Sequence, residues 1–253
     1  MSTFKNNLIV VISIGILTLG IESANGAQKM DHLIGIGLGL ASPDFALASN
    51  PAALADLTSP MLSSNYFLNE KNIEGVTAFP LGPVTIGASY AKDFELGQTL
   101  NVGAAVDLGA FKVGASVQRL LATSPLQFDA AFTYQHSEWR FTLVGRHWES
   151  AVTELDFGAA YLMGSKVFAL DLIKPAPLFG GSLTVDPNVG LLSELFEIAA
   201  GYAWQIGSTF DSGVFHLDFA AKLSRKLTLQ AFYNPLTLQT QPGSIALGAK
   251  VLF

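Results

Sequence analysis

The side chains best suited to chemistry in this 253-residue sequence are four histidines and a set of acids and bases scattered among apolar residues. His216 stands two residues before Asp218, a spacing that puts both on one face of an extended strand. No nucleophile is matched to that pair, nor to His32, His136 or His147, so a base without its nucleophile gives hydrolysis little support. Cysteine is absent, and the Asp and Glu residues lack calcium-loop spacing, so no metal and no cofactor is expected. Gly35-Ile36-Gly37-Leu38-Gly39 lacks the spacing and the following Lys of a phosphate cradle. The net charge of −6 comes with no basic patch, which argues against nucleic acid. What remains is a polar set comprising Asp129, Arg140, Arg146 and Asp156. A tight turn at Ser137-Glu138 sets Gln135 opposite Arg140 and Asp129 opposite Arg146, while Asp156 or Glu154 approaches Arg146 across the next connection. A cation between two acids can fix strand register, and it can equally line a polar constriction.

The elements that must carry these residues are read from alternation. Phe253, Val251, Ala249, Leu247 and Ile245 share one parity, and Lys250, Gly248, Ala246 and Ser244 share the other. Such a period of two gives an extended strand one greasy and one wet face. The same pattern recurs at Leu100 to Leu108, Leu126 to Gln135, Glu138 to Arg146 and Phe215 to Lys222. The second face is rich in Gly, Ala, Ser and Thr, which suits a lumen better than a surface in bulk water. About fourteen such segments fit residues 62–253, with twelve as the alternative count. Their connections alternate between tight and longer, and tyrosines and tryptophans gather towards the segment ends. The predicted fold is all-β: a transmembrane antiparallel barrel with both termini on the short-turn side. Half of the residues are hydrophobic and only 13% charged, at a mean hydropathy of +0.40. Lys5, the apolar run Leu8 to Ile21 and the small residues Ser23 to Ala27 predict a cleaved secretory signal over residues 1–27.

Between signal and barrel, residues 28–61 do not alternate. This stretch has a Gly-rich beginning, Asp44 among small residues, and then Asn50-Pro51-Ala52-Ala53-Leu54-Ala55. It resembles the amino terminus of the FadL family of outer-membrane transporters of hydrophobic compounds, and of related PorV-type barrels. The resemblance covers about thirty residues plus the general barrel pattern. It implies a plug, or hatch, inside the lumen with Asn50, Pro51 and Ala52 as its motif. It also implies a bacterial outer-membrane location, surrounding lipid as a partner, and passive passage of a hydrophobic small molecule. A PorV-like scaffold that binds partner proteins is the alternative. A lateral opening in the wall would need broken ladder hydrogen bonds, and Gly180, Gly181 and Pro187 are its candidates. Ending the last strand on Phe253 resembles the closing strand that the barrel-assembly machinery recognises. Fatty-acid transporters of the family are much longer and carry large outer loops, so fatty-acid specificity does not follow from the resemblance.

Overall fold

A computed structural model describes residues 41–43, 46–68, 72–93, 97–120, 126–148, 154–174, 183–206, 213–234 and 244–253. The signal, Gly180, Gly181 and most of the longer connections lie outside the described residues. Fourteen antiparallel strands close into one barrel. They are β1 (Met61–Phe67), β2 (Asn72–Leu81), β3 (Val84–Asp93), β4 (Gly97–Asp107), β5 (Phe111–Leu120), β6 (Gln127–His136) and β7 (Trp139–Arg146). Then follow β8 (Glu154–Met163), β9 (Lys166–Lys174), β10 (Thr184–Leu192), β11 (Phe196–Gln205), β12 (Val214–Lys222), β13 (Leu227–Asn234) and β14 (Ser244–Leu252). Each strand pairs with its sequence neighbours, and β1 closes on β14 with Ser63 opposite Lys250 and Asn65 opposite Gly248. Closure leaves no edge, so every strand is paired on both sides within the sheet, as a membrane requires.

Burial follows the parity read from the sequence. On β1 the pattern alternates strictly, with Met61, Ser63 and Asn65 buried and Leu62, Ser64 and Tyr66 exposed. Leu143, Phe157, Phe168, Leu217 and Leu247 are exposed on the outer face, while Thr142, Asp156, Ala169, Ala220 and Lys250 are buried on the inner one. An exposed belt of this kind is stable only against hydrocarbon, so the barrel spans a membrane.

Short connections between β2 and β3, β4 and β5, and onward to β12 and β13 all lie at the end where β1 begins and β14 finishes. Three of them hold a glycine with positive φ, at Gly82, Gly109 and Gly164, a region a side chain rarely enters. Two others use serine. Ser193 Oγ accepts from the backbone N–H of Leu195 and Phe196, and Ser224 Oγ accepts from Lys226 and Leu227.

The largest shift from the boundaries read in the sequence is at the end of β10. A strand over 180–187 followed by a loose connection at 188–192 is predicted, but β10 runs on to Leu192 and the turn falls at Ser193 to Leu195. Asn188 and Gly190 interrupt the apolar pattern without breaking the strand, because Asn188 lies inward and buried and both pair with β9.

Because Leu247 lies exposed in the middle of the outer face of β14, Leu247→Arg is expected to destabilise the barrel by about 2–4 kcal/mol. Reversible denaturant unfolding in lipid vesicles measures this. An inward polar change such as Ser63→Thr should leave the midpoint nearly unshifted.

Candidate functional site: the lumen and the segment on its inner wall

A fourteen-strand barrel encloses more space than its own side chains fill. Part of that space holds a short helix, α1 (Ala46–Ser49), and a 3-10 helix at Pro51–Asp56. Local chemistry explains both. Asn50 is extended, at φ −148, and its side chain accepts from the Ala52 N–H at 3.1 Å. Pro51 follows at the first helical position, where its missing N–H leaves no bond unmade. Every residue of Pro51–Asp56 is buried.

The segment lies against the inner faces of β3 to β6. Gly87, Gly103 and Gly114 form its bed, and Gly87 stands directly opposite Gly103 in the ladder. A Cβ on Gly103 would come within 2.6 Å of Leu47 Cδ2, and one on Gly87 within 3.2 Å of Leu54 Cδ2. A Cβ on Gly114 would overlap the Pro51 carbonyl and the Ala52 nitrogen. Ala41, Ala46, Leu47, Ala53, Leu54 and Leu57 join Val76, Ala78 and Ala105 of the wall in one apolar cluster.

Cations of the wall hold the segment at several points. Asp56, 3% exposed, ends the 3-10 helix between Lys112 of β5 and Arg140 of β7, themselves 4% and 1% exposed. Lys112 donates to Asp56 Oδ1. Arg140 Nη1 reaches Asp56 Oδ2 at 3.1 Å and Nη2 reaches Oδ1 at 3.4 Å. Arg146 Nη2 donates to the Ser49 carbonyl at 2.7 Å, where the end of α1 concentrates negative dipole. From β14, Lys250 Nζ lies 2.9 Å from Ser42 Oγ.

The polar set read from the sequence divides here. Arg146 binds Asp156 at 2.7 Å and Asp129 at 3.7 Å. Arg140 is not part of that group: it lies near the short-turn end and serves Asp56, although Gln135 is its ladder partner. The physical reason is depth, because Arg140 is the second residue of β7 and Arg146 the last. Asn50, Pro51 and Ala52 all sit on the inner wall, buried. Sequence reasoning missed Asp56, although a carboxylate ending an apolar helical turn inside a lumen is a signal that it needs partners.

Pro187 is exposed on the outer face of β10. The β10–β11 ladder skips Asp186 and Pro187, resuming at Asn188 opposite Gly201, whereas the β9 side is continuous. On the inner face of this wall, His216 Nε2 spans Gly201 to meet Asp186 at 3.0 Å. A Cβ on Gly201 would overlap the His216 ring and the Asn188 amide. Asp171 and Asp218 lie within electrostatic reach of His216. Beside this acidic group, Ala160, Leu162, Val167, Ala169, Ala199, Ala220, Phe232 and Ala246 form a second apolar cluster on the inner wall.

No family model matches the sequence, and no curated protein matches it. Solved barrels do resemble it. Acinetobacter baumannii outer membrane protein Omp33 is similar over 77% of this chain and 97% of its own, at TM-score 0.53 and 11% identity. A Rh. blastica porin mutant aligns over 77% of this chain and 98% of its own, at 0.45 and 9%. Salmonella typhi OmpF, in a complex with daunomycin, aligns over 77% and 96%, at 0.40 and 7%. The likeness to Omp33 is one of fold, a closed antiparallel outer-membrane barrel.

Asp56→Asn removes the counter-charge of buried Arg140 and leaves Lys112 only Asp107, opposite it on β4, and is expected to weaken seating of the segment by about 3–5 kcal/mol. The readout is limited proteolysis within residues 41–60, with the folded barrel's migration on unheated gels unchanged. Gly114→Val should expose the same segment by steric displacement.

Proposed function

We propose that this chain is a small FadL-like barrel of the bacterial outer membrane that lets hydrophobic small molecules pass, with Ala46–Asp56 as its gate. The observation that carries this reading is the mode of attachment. The segment packs its apolar side chains against Val76, Ala78 and Ala105 beside a glycine bed, and its polar ties are ion pairs and single hydrogen bonds. Such contacts can be broken and remade without unfolding the barrel, since every strand is already paired with two others. Asn50, Pro51 and Ala52 form the turn about which the segment would tilt. The apolar sector on β8 to β14 gives a passenger hydrophobic wall to lie against, with Glu197 and Asp218 set among its alanines.

Charge narrows the passenger class. Asp171, Asp186 and Asp218 converge on this same side of the lumen, and rings of carboxylates disfavour anions. A neutral or cationic hydrophobic molecule fits, and a fatty-acid anion does not. The gap in the β10–β11 ladder at Pro187 supports a sideways exit there. Export by a cleaved signal over residues 1–27 and recognition of β14 by the barrel-assembly machinery complete the reading.

Planar-bilayer recording of the mature protein tests it. Wild type should be silent or nearly so, and Asp56→Asn should conduct, with its reversal potential in a KCl gradient displaced towards potassium. If both proteins are silent, the lumen is filled and the scaffold role replaces passage.

A further inference from the structure

The outer face of the barrel carries its own chemistry. Among the described strand residues, the parity that faces outward holds no Asp or Glu, while Glu74, Asp107, Asp129, Glu154, Asp156, Asp171, Asp186, Glu197 and Asp218 all fall on the inward parity. The outward charges are basic. Lys92 and Arg119 are exposed at the end of β3 and β5 away from the short turns, and Lys166 is exposed at the short-turn end of β9.

Below Arg119 lies a groove of about 600 Å³ in the outer wall, within the size range of small-molecule sites. Ala104 and Ala115, directly paired across β4 and β5, form its floor. Val102, Val117, Phe128 and Trp148 are its sides. Trp148 is built into place. His147 takes a positive φ of 55, the chain folds back, and the Trp148 indole N–H donates to the Gly145 carbonyl at 2.7 Å. Its ring lies where a Cβ of Gly145 would be.

Arg119 is the next outward residue beyond Val117 on β5. Lys92 pairs with Gln98 and Arg119 with Leu100, so the two cations flank β4. Sheet spacing puts their backbones about 12 Å apart, close enough for both long side chains to reach one headgroup. An apolar groove under two cations, whose one bordering carboxylate, Asp129, is on the inward parity and engaged by Arg146 and the His147 N–H, is complementary to a lipid with a negative headgroup.

We propose that this groove seats an acyl chain of an anionic, phosphate-bearing lipid whose headgroup is held by Arg119 and Lys92. The inference rests on the chain being a membrane barrel. The site is specific to one wall and one leaflet, the one away from the short turns.

Trp148 is the reporter. In a Trp139→Phe/Trp204→Phe protein, its fluorescence is titrated with brominated phosphatidylglycerol or brominated phosphatidylcholine in mixed vesicles. The anionic lipid should quench at a mole fraction lower by about five-fold per cation contributed. Arg119→Gln should reduce that preference, Arg119→Lys should restore most of it, and Lys166→Gln at the other end should leave it unchanged. Equal quenching by the two lipids, or a preference that survives Arg119→Gln/Lys92→Gln, overturns the proposal. So does absence of quenching by either lipid in a protein whose Trp204, kept as the single tryptophan, is quenched, because the groove is then covered by a second copy. If neither tryptophan is quenched, it is the membrane reading that fails.

Discussion

A buried carboxylate between two buried cations organises this lumen. Asp56 is the only charge that the Pro51–Asp56 helix offers, and Lys112 and Arg140 reach it from strands two apart in the sheet. A carboxylate removed from water needs such partners. Two cations on the wall likewise need an acid: Lys112 has Asp107 opposite it on β4, but β6 between the two cations presents Thr133, whose hydroxyl is bonded to Thr142. Each side therefore depends on the other. The glycines of β3, β4 and β5 make the approach possible, because any side chain on Gly114 would hold the helix off the wall.

The barrel itself was largely legible in the sequence. Period-two alternation, connections of alternating length and the parity of the termini are local properties, and they return the fourteen strands and their faces. Where the sequence ends β10 early, the cause is local as well: Pro187, Asn188 and Gly190 look like a turn, and pairing with β9, joined by β11 at Asn188 and Gly190, keeps them extended. The lumen was legible in pairs of adjacent strands. Arg146 with Asp129 and Asp156 follows from register between neighbours. Contacts between the wall and the amino-terminal segment do not, because Asp56 and Arg140 are 84 residues apart and no periodicity links them. His216 was visible beside Asp218, but its hydrogen bond goes across Gly201 to Asp186, which requires knowing that β11 presents no side chain there.

The two faces divide the charge of the chain between them. Among the described strand residues, carboxylates fall on the inward parity, where wall cations, the bound segment and water can satisfy them, and the charges on the outward parity are basic and near the strand ends. Hydrocarbon penalises any charge at mid-depth, while long basic side chains can reach the headgroups. The same rule thus gives the interior its negative character and the exterior its basic rim.

The central claim is that the seated segment closes the lumen and that its release opens it. The chain has no cysteine, so a single introduced pair can test this. Leu54→Cys with Gly87→Cys brings two thiols together where Leu54 now contacts the glycine bed, and a short cleavable thiol linker can bridge them. In an Asp56→Asn background, bilayer conductance should fall to the wild-type level on bridging and return on cleavage. Conductance that is the same in the bridged and cleaved protein would contradict the account.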